Sequence, residues 1–425
     1  MTINIITLGC SKNIVDSEVI GAQLQRQGHT VLFESEVKAD LVIVNTCSFI
    51  NDAREESVNT ILEQIAKKKK RRSGKLFVIG CLVQRCKDEL KEALPEVDEF
   101  YTFAELSQMV QEPSFQLLGS SERLLSTPRH YAYLKVSEGC DHQCSYCAIP
   151  LIRGRQVSKP ISLLTEETQK LAEQGVKEVM LIAQDLTYYG MDLTGKHELA
   201  HLLEALAQVK GIRWIRLHYA YPLNFPMEIL DVMKTYPQYC RYLDIPIQHI
   251  NDEILKSMRR GGSSQYIYDL IARIRKAIPG IALRTTLISG YPTETRTQHK
   301  ELVDFVKAVR FDRLGVFSYS QEDGTPAFPL GDPIKRGEKR KRLDELMTLQ
   351  EQISLELNRQ KVGQTFETII DRETESHYIG RTEFDSPDVD NGVLIAKKQP
   401  LNIGEFYKVR ICDAAEYDLF GEIVS

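Results

Sequence analysis

The stretch EGCDHQCSYCAIP, residues 138–150, places Cys140, Cys144 and Cys147 in a Cys-x-x-x-Cys-x-x-Cys spacing. Three thiolates this close in sequence can serve one metal centre, and no fourth accompanies them. A [4Fe-4S] cluster normally takes four thiolates, so a three-thiolate version leaves one iron open to a substrate or cofactor. A structural zinc site is the plainer alternative. Such sites are usually closed by four ligands in paired Cys-x-x-Cys or Cys…His spacings, and His142 inside the loop makes a poor fourth.

The rest of the chain bounds the setting of that loop. Its 425 residues, 42% hydrophobic and 27% charged, fit a globular chain of roughly two to four domains. The start MTINIITLGC lacks a basic segment followed by a long apolar one, and no run approaches the roughly eighteen apolar residues of a membrane span. A cytoplasmic protein, neither exported nor membrane-spanning, is the expectation. Nine cysteines, an odd number, point to thiolate chemistry in a reducing compartment rather than to a disulfide framework. A net charge of −5 does not suggest a generic nucleic-acid binder.

Residues 1–120 alternate apolar runs with amphipathic stretches, as parallel strands with crossover helices do. Strands are expected at 3–8, 41–45 and 76–79, with helices at 14–27 and 52–70. Each strand leads into a cysteine: Cys10 after INIITLG, Cys47 after LVIVNT and Cys81 after KLFVIG. All three should emerge at the carboxyl edge of one parallel sheet, where open α/β sheets bind ligands. A second three-thiolate cluster explains that repetition better than three small core residues do.

From residue 126 to 356 a longer rhythm yields six strands, at 131–137, 176–183, 212–218, 242–247, 281–288 and 313–319. Six βα units give an open, partial (βα)6 barrel with its chemistry at the strand C-termini. Residues 337–363 read as a solvent-laced linker helix. Residues 360–425 are short strand-like runs broken by Gly, Asp and Pro, which predicts a small all-β barrel. The run KKKKRR at 67–72 reads as a solvated helix end, with a phosphate or acidic-partner contact as the alternative. Cys86 is expected to be a buried hydrophobe, a redox-sensitive neighbour of Cys81 being the alternative; Cys240 and Cys412 lack partners at metal spacing and are expected to be structural, and His249 a hydrogen-bonded structural residue.

The triplet, in a loop after the first strand of such a barrel, resembles the radical S-adenosylmethionine (SAM) superfamily. The three-part organisation, with the N-terminal cysteine set and a terminal TRAM barrel, resembles the methylthiotransferases within it, over essentially the whole chain. LGCSKNIVDSE, NTCSFI, CAIPLIRGR, RLHYAYP, YLDIPIQH, LISGYPTET and FSYSQEDGTPA look like the RimO branch, whose substrate is an aspartate of small-subunit ribosomal protein twelve. The tRNA-modifying MiaB branch usually has GCQMN where this chain has GCSKN.

The resemblance implies two [4Fe-4S] clusters, an auxiliary one on Cys10, Cys47 and Cys81 and a SAM-binding one on Cys140, Cys144 and Cys147. One SAM would methylate a sulfur on the auxiliary cluster, and a second would give the radical that takes a β-hydrogen from the substrate aspartate. Gln184 and Asp185, ending the second barrel strand, and Gly290 and Pro292, ending the fifth, are the candidate SAM contacts. Turn formation explains the Gly290-x-Pro292 pair equally well. The expected partners are a basic ribosomal protein, free or in the assembled small subunit, an external electron donor and a sulfur donor. A monomer is expected.

Charge bears on the branch. Residues 361–425 carry seven Lys or Arg against thirteen Asp or Glu, a net of −6. A barrel that grips RNA needs a basic face. An acidic one suits a Lys/Arg-rich protein, and Asp385, Asp388 and Asp390 in the DSPDVD loop are expected to steer it; plain solubilising charge is the alternative. The competing functions are tRNA methylthiolation and a zinc-stabilised binding module without chemistry.

Overall fold

A computed structural model describes residues 1–71 and 74–424. The N-terminal sheet contains β1 (Thr2–Thr7), β2 (Thr30–Phe33), β3 (Leu41–Thr46), β4 (Lys75–Gly80) and β5 (Glu99–Tyr101). They lie in the order β2-β1-β3-β4-β5, all parallel. This doubly wound order reverses between β1 and β3, the crevice where such sheets take ligands. Cys10 and Cys47 follow those two strands, and Cys81 follows β4. The short edge strands β2 and β5 escape detection in the sequence because half-exposed runs of three or four residues give no clear period.

Helix α1 (Ser11–Arg26) is buried from two sides. Ile20 and Leu24 pack on their own sheet, while Val15 and Val19 pack against Tyr133, Met180 and Ile182 of the central domain. Helix α2 (Asn51–Arg71) covers the expected 52–70. Within the basic run, Lys67, Lys68 and Lys69 pair with Glu36, Asp98 and Glu96, and Arg72 lies outside the described residues. Helix α3 (Cys81–Ala93) begins at the third cysteine and breaks at Cys86, whose backbone is non-helical.

The central sheet contains β6 (Tyr131–Lys135), then, beyond a ribbon of β7 (Ser137–Glu138) and β8 (Val157–Ser158), β9 (Glu178–Ile182), β10 (Trp214–Leu217), β11 (Tyr239–Asp244), β12 (Ala282–Ser289) and β13 (Arg313–Ser318). The six long strands are all parallel, in sequence order from β6 to β13. They form the expected open partial barrel. The β7–β8 ribbon ties off the loop that carries the cysteine triplet.

The helix Arg336–Arg359 corrects the expected linker. Leu346 and Ile353 belong to the barrel's hydrophobic core, so the helix is part of the barrel wall, and even two of its charges, Lys339 and Arg342, are buried against that wall. Beyond it, β14 (Thr365–Glu373), β15 (His377–Thr382), β16 (Gly392–Ala396), β17 (Phe406–Ala414) and β18 (Asp418–Ile423) close a five-stranded barrel. Cys240 is buried, as expected of a structural residue, but Cys412 is exposed on β17. A strand alternates faces, and Cys412 follows the inward Ile411.

The terminal barrel docks where the central strands begin, opposite the cysteine loops. Its DSPDVD loop enters the partial barrel, and this corrects the role expected for its acids. Asp385 accepts from Arg313 Nε at 3.0 Å, and Asp390 pairs with Arg284 at 2.6 Å and accepts from Tyr242 Oη at 2.8 Å. Only Asp388 is exposed, and Tyr131 Oη donates to it at 3.3 Å. Two of the three carboxylates are therefore structural and cannot steer a partner. Nearby, Glu178 joins Arg216 to Arg381 across the same interface, at 2.8 and 2.7 Å.

Burial alone would raise the Asp385 and Glu178 carboxyls, but the facing arginines outweigh it and hold both below the usual carboxylate range. Depressed folded values contribute stability that is complete above the ordinary carboxylate range, around pH 4, and is lost as pH falls through the folded values. The protein's one tryptophan, Trp214, packs edge-on against Phe406 of the terminal barrel, with ring centroids 4.8 Å apart. Its fluorescence should therefore report undocking on acidification below about pH 4. Asp385→Ala should lower stability by about 3 kcal/mol, because it strands a buried guanidinium, and adding Arg313→Met should recover most of the loss. Denaturant titrations followed at Trp214 would check both, and a double variant no more stable than Asp385→Ala would contradict the pairing.

Candidate cluster-binding site

Glycine brings the first cysteine set together. Gly9 has φ +87°, and a Cβ there would lie 2.6 Å from Cys47 Cβ and 2.7 Å from its Sγ. Gly80, before Cys81, has φ +97°, and a Cβ there would lie 2.5 Å from both Asn45 Oδ1 and Thr46 O. The same dipeptide precedes the triplet: at Gly139, with φ +74°, a Cβ would lie 2.0 Å from Arg155 O. Each of these positions needs both the left-handed backbone and the missing side chain. The repeated Gly-Cys pair was the sequence signal for them, and a reading centred on cysteine spacing passes over it.

Cys47 and Cys81 are buried and Cys10 is half-buried at the start of α1. The three are close enough to repel as thiolates, since charge on Cys10 raises both others. Burial is the main cause that pushes the Cys81 thiol up to about 12, with the Arg153 charge acting in the opposite direction. In the second set, burial likewise pushes Cys140 and Cys147 up to about 12. Unmetallated, these thiols stay protonated at neutral pH; a metal centre holds them as thiolates. Each set offers cysteine sulfurs alone, three at one carboxyl edge, a donor set whose chemistry suits a [4Fe-4S] cluster with one open iron better than a closed four-ligand zinc site.

Arg153, from the short helix Ile149–Arg153 just past the triplet, joins the two sets. Its Nη2 donates to Asn13 Oδ1 at 2.5 Å and to Cys81 Sγ at 3.4 Å. Its Nη1 donates to Asp16 at 2.7 Å and to Glu138 at 3.1 Å, and its guanidinium lies over Phe103 at 4.1 Å. Lys135 completes a buried network with Asp16 and Glu138. A second tie runs from Glu18 through Arg123 to Glu167, which in turn pairs with Lys159.

Around the triplet, Arg260 Nη1 lies 3.8 Å from Cys144 Sγ and its guanidinium stacks on Tyr221. His142 stacks on the same ring at 3.9 Å, and its Nε2 meets Asp185 Oδ2 at 2.6 Å. Asp185 Oδ1 accepts from the Thr187 backbone and hydroxyl at 2.8 and 2.7 Å, so both of its oxygens are engaged in holding the loop. Gln184 donates to Glu138 at 2.8 Å, while its Oε1 is buried without a partner. The Gly290 N–H donates to Glu294 at 2.5 Å, a Cβ there would meet Lys339 Cγ at 2.6 Å, and Pro292 is buried in the same turn. His249 is fully buried, and burial is what lowers it to about 4. Arg153, Asn13 and Arg260 had no signal in cysteine spacing; Arg153 lies in the CAIPLIRGR run, but its bridging role is a tertiary fact.

Three family descriptions match in order along this chain. They are the uncharacterized protein family UPF0004 at residues 2–102, the radical SAM superfamily at 134–306 and the TRAM domain at 362–424. The chain is 53% identical over 427 residues to the ribosomal protein uS12 methylthiotransferase RimO of Flavobacterium johnsoniae, covering 99% of this chain and 97% of that one. It is 47% identical to the RimO protein of Parabacteroides distasonis, over 100% and 99% of the two chains. The chain belongs to the RimO family of radical SAM methylthiotransferases.

The fold extends beyond the RimO family. A radical SAM methyltransferase, TsrM from Kitasatospora setae, solved with tryptophan substrate and a SAM analogue, superposes with TM-score 0.59 at 15% identity, over 92% of this chain and 80% of that one. The cobalamin-dependent radical enzyme OxsB superposes with TM-score 0.51 at 13% identity, over 82% and 56% of the two chains.

Gly80→Ala should remove about half of the bound iron while leaving the triplet able to load, because one cysteine set loses its geometry and the other does not. Gly154, with φ +72° and open space within 4 Å of where a Cβ would sit, is the control. Gly154→Ala should cost only backbone strain, about 1–2 kcal/mol, at full iron content. Iron analysis and thermal denaturation of the two variants would check this, and equal iron in both would contradict it.

Proposed function

We propose that this chain adds a methylthio group to the β-carbon of an aspartate in ribosomal protein uS12. One [4Fe-4S] cluster would be held by Cys140, Cys144 and Cys147, and a second by Cys10, Cys47 and Cys81. The observation that carries the reading is the Arg153 bridge, which sets the two cysteine groups at one junction. Full-length identity to proteins named for uS12 methylthiolation supports the substrate.

When bound, SAM and the two clusters supply one-electron hydrogen abstraction and sulfur transfer, chemistry outside the reach of acid and base side chains. The chain's own residues position and enclose. Arg153 fixes Cys81 against the triplet helix, and Asp185 through His142 fixes the triplet loop. Val15 and Val19, packed on Tyr133, Met180 and Ile182, form an apolar wall that keeps water from the junction. Of the expected SAM contacts, Gln184 has an unpartnered oxygen to offer, while Asp185 and Gly290 already have structural partners. An external reductant and a sulfur donor complete the reaction, which we place in the cytoplasm on a monomeric enzyme. Among the described residues no helix is long and apolar enough to cross a membrane.

Anaerobically reconstituted protein should bind about eight irons, and the Cys140/Cys144/Cys147→Ala variant about four, with no reductive SAM cleavage. Cys47→Ala should lose methylthio transfer yet still form some 5′-deoxyadenosine. Mass spectrometry of uS12 and of tRNA from a deletion strain decides the substrate. Loss of the modification from tRNA with uS12 unaffected would refute the proposal.

A further inference from the structure

Lys12 is a buried cation whose position the cluster reading leaves unexplained. It stands two residues beyond Cys10 in the first turn of α1 and is only 8% exposed. Its ammonium sits 3.3 Å from the centroid of the Tyr219 ring, across the domain junction at the end of β10. Among the described residues no carboxylate pairs with it. A desolvated ammonium over an aromatic face keeps part of its electrostatic compensation, but an unpaired buried charge remains costly.

Most neighbouring carboxylates already have close partners of their own; Asp244, which accepts from the Tyr219 N–H at 3.3 Å, keeps a buried Oδ1 without a hydrogen bond. Asp16 is held by Lys135 and Arg153, and Glu138 by the same two residues. Glu18 is held by Arg123, and Asp185 by His142 and Thr187. Lys12 and Arg260 are the two buried cations here without a carboxylate partner among the described residues, and Arg260 instead faces Cys144 Sγ at 3.8 Å and donates to the Pro246 carbonyl. Tyr219 adds an independent sign of function, because it is held at φ +61°, a left-handed backbone that a non-glycine residue adopts at a cost.

We propose that Lys12 is the specificity-determining residue that binds the side-chain carboxylate of the substrate aspartate. This rests on the aspartate methylthiotransferase reading and names the residue that recognises the target. The other carboxylate that could reach the junction belongs to SAM. Lys12 projects from the N-terminal domain, beside the cysteines proposed to hold the sulfur, and the aspartate β-carbon must approach that sulfur. A charge-assisted contact at this point holds the carboxylate next to the carbon that reacts.

The test compares uS12 with a form whose target aspartate is replaced by asparagine, using loaded enzyme and direct binding titrations. Wild-type enzyme should prefer the aspartate form by about ten- to a hundredfold in kcat/KM, the size of one charged hydrogen bond. Lys12→Met, which keeps the stem against Tyr219, should abolish that preference, mainly through KM, and should equalise the two dissociation constants. Lys12→Arg should restore most of the preference, and iron content tells a discrimination defect from failed cluster assembly. A preference that survives in Lys12→Met overturns the proposal, as does a loss of SAM affinity with aspartate discrimination intact. If wild-type enzyme modifies no uS12 at all, the broader functional reading fails instead.

Discussion

Arg153 makes one guanidinium answer to two domains. It lies just past the cysteine triplet in sequence, yet its hydrogen bonds end on Asn13, Asp16 and Cys81 of the N-terminal domain and on Glu138 of the barrel. Only arginine presents a planar fork of donors that can meet two carboxylates, an amide oxygen and a sulfur at once. Buried and bonded through both Nη atoms, it ties the helix after the triplet to Cys81 and the start of α1. The carboxylates that hold it are costly to bury, and they are compensated by Lys135 and by each other's partners. Removing any one member would leave uncompensated charge between the domains. The junction is therefore specified as a unit rather than by pairwise contacts.

The opposite end of the central barrel is closed by the same means. There the DSPDVD loop inserts acids among barrel arginines, and the Glu178–Arg216–Arg381 chain links strand starts to the terminal barrel. A partial barrel leaves buried polar groups at its open end that must be paired, and the terminal domain pairs those at the strand starts. Much of the acidity that seemed available for steering a basic partner is thus internal structure. The remaining surface charge of the terminal barrel still disfavours a phosphate-gripping role, but it supplies no docking loop.

The cysteines make most of the architecture legible from the amino-acid sequence. Their strand-end positions place Cys10, Cys47 and Cys81 at one sheet edge, and the parallel order β2-β1-β3-β4-β5 puts them there. The six barrel strands are legible because buried parallel strands are near-continuous apolar runs. Legibility fails where meaning depends on what lies opposite. Asp385 and Asp390 look like surface charge in the sequence because Arg313 and Arg284 stand 72 and 106 residues away. The helix Arg336–Arg359 looks solvated because its charges outnumber the narrow apolar stripe that Leu346 and Ile353 bury. Arg153 and Lys12 acquire their roles only across a domain junction, which no local period encodes.

If the two cysteine sets form one site, their clusters lie close enough to act on the same substrate. Electron paramagnetic resonance of the fully reconstituted, reduced protein tests this most directly, with the Cys47→Ala variant and the triplet variant as single-cluster references. The expected result is magnetic interaction between the clusters, seen as a broadened, faster-relaxing signal that neither reference shows. A spectrum equal to the sum of the two references, with unchanged relaxation, would contradict it.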